Sequence, residues 1–310
     1  MRAVAPLASF LLLAATFVIA DPVADPGAGD DAVLARKLDT YIACMNRHSE
    51  RVIASRDRYR SWVGDRGPTG RERVVYGLYE IYDPAECLRT IAAAAAAPPD
   101  LPELHAAGAA WVEAIAQVRD QVAVAYRYYD MENYKDDRMQ RGKALHGPLT
   151  QAFDRFVAAD RQLSEQVRRH AEALQTRQLE RLAANPERRT DYLLLASMRH
   201  ARAALNLARP SGDRSFQREA FDAELARFET LLDELEHQSA LQHPVGRSAM
   251  SGYLRNSRDF LRTGKTLSRM HRDRKRHDTF FLPDNPELVE GHPGRMLHEF
   301  NRMVSEYNRM

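Results

Sequence analysis

The chain has 310 residues, and its 45 Lys and Arg nearly balance 43 Asp and Glu, so no global field drives it onto nucleic acid and any electrostatic role must come from local patches. Fifteen Gly and fifteen Pro fall below the usual share of ~12% together, and Ala, Leu and charged residues fill much of the rest, which favours long helices. No segment shows strand alternation or a solenoid repeat, so the fold expected is all-α, an elongated bundle of long antiparallel helices forming one domain over 32–310.

The N-terminal segment carries one cation, Arg2, then an apolar run from Leu7 to Ile19 broken only by Ser9 and Thr16, then Val18-Ile19-Ala20. Short residues at the −3 and −1 positions suit a signal peptidase, so 1–20 are expected to be a signal peptide cleaved after Ala20. The run is well short of the ~20 residues of a membrane span, and no second run follows, so the mature protein is expected to have no transmembrane segment and to be periplasmic or secreted. Position 21 is Asp rather than the Cys of a diacylglycerol anchor, which argues against a lipoprotein. Residues 21–31, with their Pro, Gly and Asp, are expected to be a disordered leader.

Leu34, Leu38, Tyr41, Met45, His48, Val52, Ser55, Tyr59 and Trp62 fall alternately four and three apart, which predicts a helix over 32–63 packed along its whole length. Its polar members are His48 and Ser55; His48 reads as a core or boundary residue with a hydrogen-bond partner. Gly64, Gly67 and Pro68 close this helix. Thr69 and Glu72 have capping-box spacing, predicting a short helix over 70–82, and Asp83-Pro84-Ala85-Glu86 starts another over 84–97. After Pro98-Pro99-Asp100 a helix should run to about 129, and a further long one over 135–184. Asn185-Pro186-Glu187 opens a helix ending near 209; others are expected over 216–241 and 246–276, with a last one at the C-terminal end.

The midpoint of Cys44 and Cys87 falls in the turn at 64–69. In an antiparallel helical hairpin both would sit roughly 30 Å from that turn, side by side. A disulfide is therefore expected, contributing on the order of 3 to 4 kcal/mol by the chain-entropy estimate.

The densest unusual chemistry lies in 126–146, where Tyr129, Tyr134, Lys135, Asp136, Asp137, Lys143 and His146 are candidate ligand-binding residues. On a helix Asp136, Gln140 and Lys143 share a face, Asp137 pairs with Arg141, and His146 lies a turn past Lys143. Such a cluster suits a cation held by the two aspartates and His146, or a polar ligand between tyrosine rings. It equally suits a capped helix junction, which is the preferred reading because neighbouring cations can satisfy the carboxylates.

Gly67-Pro68-Thr69-Gly70, Tyr128-Tyr129 followed by Tyr134-Lys135-Asp136-Asp137, Gly142-Lys143-Ala144-Leu145-His146, and the terminal Phe300-Asn301 and Tyr307-Asn308 together resemble the YiiG-like family of bacterial envelope proteins, defined by a domain of unknown function. The resemblance spans the chain from about Lys37 onward. It implies an exported helical domain and carries over no activity. Many of that family are lipoproteins, from which this chain departs in lacking the lipobox cysteine.

Glu234-Leu235-Glu236-His237 has the Glu-x-x-His spacing of di-iron bundles, but those need two such motifs and two further glutamates, and one copy is present. Paired cysteines leave no thiolate for zinc, and neither a Gly-rich phosphate loop nor a Gly-x-Ser-x-Gly elbow occurs. No catalytic residue, metal ligand or cofactor is assigned.

Arg255, Arg258, Arg262, Lys265, Arg269, Arg272 and Arg276 repeat three and four apart as a basic ridge; 254–277 hold nine cations and two anions. The ridge suits a dock for anionic lipid, lipopolysaccharide or an acidic partner. The preceding helix, however, has seven anions and two cations over 216–237, and mutual neutralisation is the preferred expectation. The function expected is that of an exported, non-catalytic helical bundle binding an unidentified protein or envelope component, not nucleic acid. The alternative is a metal- or small-ligand-binding protein using 129–146.

Overall fold

The computed structural model describes residues 26–208, 216–241, 244–274 and 286–310. The expected signal peptide, residues 21–25 of the expected leader and Arg276 lie outside the described residues. Those described form eight α-helices and no strand: α1 (Pro26–Arg60), α2 (Ala85–Ala96), α3 (Pro102–Asp130), α4 (Gln140–Ala183), α5 (Arg189–Ala208), α6 (Arg218–Leu241), α7 (Pro244–Arg272) and α8 (Pro293–Tyr307). The all-α class follows from the three-and-four spacing of the apolar residues. Helix α1 begins at Pro26, taking up the second half of the expected leader. Proline is tolerated in a first helical turn, and no residue between it and Ala32 forbids helix.

Contacts gather the chain into two compact units, 1–176 and 177–310, where one domain is expected from the sequence. Side chains of α4 up to Leu174 join the first core, while Leu179 and Leu182 pack with Leu195 and Ala196. A stripe records that a helix is packed, not how many cores it serves.

In the first unit the α1 stripe is buried as expected, from Leu38 to Tyr59, in a core that includes Trp111, Phe153 and Phe156. Cys44 and Cys87 form a disulfide between α1 and α2 with Cα atoms 5.5 Å apart. The Lys37 ammonium donates to the carbonyls of Ala97 at 2.5 Å and Pro99 at 2.6 Å, closing the C-terminal end of α2.

Residues 70–82 are not helical, contrary to the expected short helix. Thr69 and Glu72 do meet, the carboxylate accepting from the Thr69 and Gly70 amides at 2.5 and 2.8 Å, but the chain then runs on as an irregular strap along α1. Side chains of α1, and Trp62 in the turn just past its end, bind the strap's backbone. Trp62 Nε1 donates to the Gly77 carbonyl at 2.9 Å, Arg58 Nε to Tyr76 at 2.8 Å, Ser55 Oγ to Tyr79 at 2.6 Å and Arg51 Nε to Glu80 at 2.8 Å. The Tyr79 amide donates back to Ser55 Oγ at 3.1 Å, which accounts for a serine inside an apolar stripe. Val74-Val75 disfavour helix, Gly77 has φ +65°, and the carbonyls gain side-chain donors from α1 and Trp62 instead of helical partners.

In the second unit α5 packs on α6, α6 on α7 and α7 on α8. Phe228 and Phe260 meet edge to face at 5.5 Å, and the buried Tyr253 hydroxyl bonds Ser197 Oγ at 2.8 Å.

Candidate functional site

Three of the four motif segments meet at one place in the first unit, while Phe300 and Tyr307 belong to the packing of the second. Gly67, at φ +89°, lies under the His146 ring: a Cβ there would be 3.0 Å from His146 Cγ and Cδ2. Gly142 faces the Tyr129 hydroxyl and Met139, whose sulfur would stand 2.7 Å from an added Cβ. Around them Tyr59, Trp62, Tyr128, Tyr129 and Tyr134 pack with ring centroids 4.9 to 6.3 Å apart.

The polar atoms of this node are turned inward. His146 Nδ1 lies 3.1 Å from the Tyr59 hydroxyl and Nε2 lies 3.3 Å from the Asp65 carbonyl. A carbonyl only accepts, so the Nε2 contact is an N–H donated to Asp65, while the Tyr59 hydroxyl can serve Nδ1 as donor or as acceptor. Burial pushes the Tyr59 phenol up to about 12. Burial together with the neighbouring Asp137 carboxylate does the same for Tyr128, and burial raises Tyr129 further still.

Asp137 accepts from the Tyr128 hydroxyl at 2.8 Å and the Arg141 amide at 3.0 Å. Partial desolvation alone would raise its carboxyl, but these bonds and those from the Met139 and Gln140 amides hold it below the ordinary aspartate value. It is thus the N-terminal cap of α4. The expected helix start at 135 shifts to Gln140 because Glu132, Arg138 and Met139 stand at φ +54°, +53° and +67°, conformations no helix contains.

Lys135 pairs with Glu132 at 2.5 Å, and Asp136 and Lys143 are exposed on the rim. Asp136, Asp137 and His146 therefore do not converge. Among the described residues no three His, Cys, Asp or Glu side chains gather as a metal site requires, so the cation reading finds no support in their placement.

Sequence reasoning took Tyr59 and Trp62 as ordinary stripe residues; their position next to Gly67 was the available signal. It also passed over Asp160, whose Oδ1 accepts from Ser49 Oγ at 2.5 Å and Trp111 Nε1 at 2.9 Å inside the first core. Burial pushes that carboxyl up, against the pull of its two donors. His48 lies edge-on to Trp111 at 6.2 Å, and its Nδ1 lacks the partner expected for it among the described residues. Burial and the Arg47 charge push its pKa down.

The basic ridge lies along α7 with its members through Arg272 described. Arg258 Nε pairs with Glu236 of α6 at 2.6 Å and Lys265 pairs with Glu229 of α6. Arg262 pairs within α7 to Asp259 at 2.8 Å, and Arg272 to Asp273 at 2.9 Å. As ion pairs the expected neutralisation by α6 reaches Arg258 and Lys265, and the charge of Asp222 on α6 also acts on Arg272. Arg255 and Arg269 have no ion-pair partner among the described residues.

No solved structure matches this chain. The Uncharacterized protein YiiG of Escherichia coli (strain K12) is 28% identical over 297 residues, covering 93% of this chain and 82% of that protein. Residues 32–309 match the family described as Protein of unknown function (DUF3829), and the chain belongs to that family.

Proposed function

We propose that this chain is an exported, periplasmic protein that acts by binding a protein or component of the cell envelope and not by catalysis. The observation that carries the reading is the Cys44–Cys87 disulfide, set between two helices of the first unit. Such a bond persists in an oxidising compartment and is rare in a reducing cytosol. The apolar run ending in Val18-Ile19-Ala20 points the same way. The node supports binding over catalysis: the phenols of Tyr59, Tyr128 and Tyr129 are held protonated, both nitrogens of His146 are engaged, and the groups left at its rim are Asp136, Lys143 and the Glu132–Lys135 pair. Osmotic-shock fractionation of the full chain, beside cytoplasmic and periplasmic markers, tests this. Release with the periplasmic marker is expected; retention with the cytoplasmic one refutes it.

A small polar ligand at the rim is the second reading, favoured by three left-handed non-glycine residues within eight positions of Glu132, since such strain collects at functional sites. It predicts that Asp136→Ala with Lys143→Ala abolishes the cellular phenotype while the melt stays unchanged.

A further inference from the structure

Helix α7 turns Tyr253, Phe260 and Leu267 into the second core and leaves Arg255, Arg258, Arg262, Arg269 and Arg272 exposed on its other side. Arg258, Arg262, Lys265 and Arg269, with Leu261 as floor, line an open groove of about 230 Å³. At the helical rise the row from Arg258 to Arg269 is roughly 16 Å long.

The carboxylates facing this row are Glu229 and Glu236 of α6, Asp259 of α7 itself and Glu290 ahead of α8. Glu229 takes the Lys265 ammonium, but the other three occupy little of their cations. Glu236 takes Nε of Arg258 and Asp259 takes Nη2 of Arg262, while Glu290 stands 3.9 Å from Arg262 and is shared with Arg295 at 3.4 Å. Both Nη atoms of Arg258, Nη1 of Arg262 and the whole guanidinium of Arg269 are without partners among the described residues. These are donors of the geometry that phosphate oxygens accept.

A single small phosphate would require cations converging on a point. Here they stand in line, one helical turn apart, over a groove too open to enclose a ligand. That arrangement fits phosphates laid out side by side on a surface. We propose that the exposed face of α7 docks the protein onto an anionic phospholipid surface, the phosphodiesters being taken by Arg258, Arg262 and Arg269. The contact is with headgroups, so it weakens with salt. Export determines which membrane the protein meets in the cell, but the contact itself does not depend on that reading.

The test uses purified 21–310 with its disulfide intact, cosedimented with vesicles of phosphatidylglycerol mixed equally with phosphatidylcholine, and with phosphatidylcholine alone. Binding to the mixed vesicles, reversed by salt and absent from phosphatidylcholine, is expected. Each cation near such a surface is worth roughly fivefold in partition, so Arg258→Ser, Arg262→Ser and Arg269→Ser together should weaken binding on the order of a hundredfold. These side chains are exposed, and an unchanged circular dichroism spectrum and melt would show that folding is intact. Glu229→Gln with Glu236→Gln should strengthen binding severalfold. Equal binding by the triple variant overturns the proposal, as does binding to phosphatidylcholine alone or to neither vesicle. Capture of soluble inorganic polyphosphate without vesicle binding also overturns it, by showing that the row serves a free polyanion. Failure of the fractionation experiment would leave all of these outcomes readable.

Discussion

Replacing Gly67 with Ala places a methyl group 3.0 Å from two carbons of the His146 ring, at a φ of +89°. The backbone conformation alone costs a residue with a Cβ about 1 to 2 kcal/mol. Forcing the ring aside adds an overpacking cost of about 1 to 3 kcal/mol. His146→Ala is destabilising for a different reason: it strands the Tyr59 hydroxyl, whose residue is 1% exposed, at about 1 to 3 kcal/mol. In the double variant the methyl group has nothing to strike, so only the backbone and hydroxyl costs remain. The two changes together should therefore cost less than their sum by on the order of 1 to 3 kcal/mol, as residues in contact do. Both tryptophans, Trp62 and Trp111, lie in the first unit, so their fluorescence through a urea titration follows that unit without the other. Asp136→Ala, an exposed side chain, is the control and should stay within about 0.5 kcal/mol of wild type. Additivity of the Gly67 and His146 changes to within about 0.5 kcal/mol would refute the packing of the loop on the ring.

Asp160→Asn keeps an oxygen for Ser49 and Trp111 and removes a buried carboxylate, so its urea midpoint should match or exceed wild type at neutral pH. Asp160→Ala strands both buried donors and should cost about 2 to 5 kcal/mol; an Asn variant as unstable as the Ala variant would contradict this. The pH profile separates two contributions of opposite sign. The Asp160 pKa is raised, so its stabilisation is complete below the unfolded aspartate value and is lost as pH rises through the folded one; the Asn variant's advantage should grow across that window. His48, His105 and His170 are lowered by burial, so the stability they support is present above about 6.5 and is lost as pH falls through their folded values. Reducing the disulfide, which closes a separation of 43 residues, should lower the stability of the first unit by about 4 kcal/mol, read as a shift of the same fluorescence transition.

The helices were legible because burial writes itself into spacing, and the α1 stripe shows this from Leu34 to Trp62. The strap at 70–82 was not legible, because what replaces its backbone hydrogen bonds comes from Arg51, Ser55 and Arg58 on another element and from Trp62 just past its end. The cysteine pairing was reached from a helical hairpin that does not exist. An extended chain covers more length per residue than a helix, but residues 64–72 are spent in the turns around Gly67 and Gly70. The strap then runs back along α1 from Trp62 beside Gly77 to Arg47 beside Glu86, bringing Cys87 to Cys44. At the node, residue types alone marked the right segment; the inward turn of Asp137 and His146 depends on Tyr128, Tyr59 and the Asp65 carbonyl, whose approach no local pattern records. On α7 the ridge was plain from charge spacing, while which cations α6 neutralises depends on register between helices.

The most direct test of the exported, disulfide-locked account is the intact mass of the protein recovered from the periplasmic fraction after alkylation without reductant. The account predicts a chain beginning at Asp21 with no alkyl group added at Cys44 or Cys87. A mass that retains residues 1–20, or that gains two alkyl groups, would contradict it.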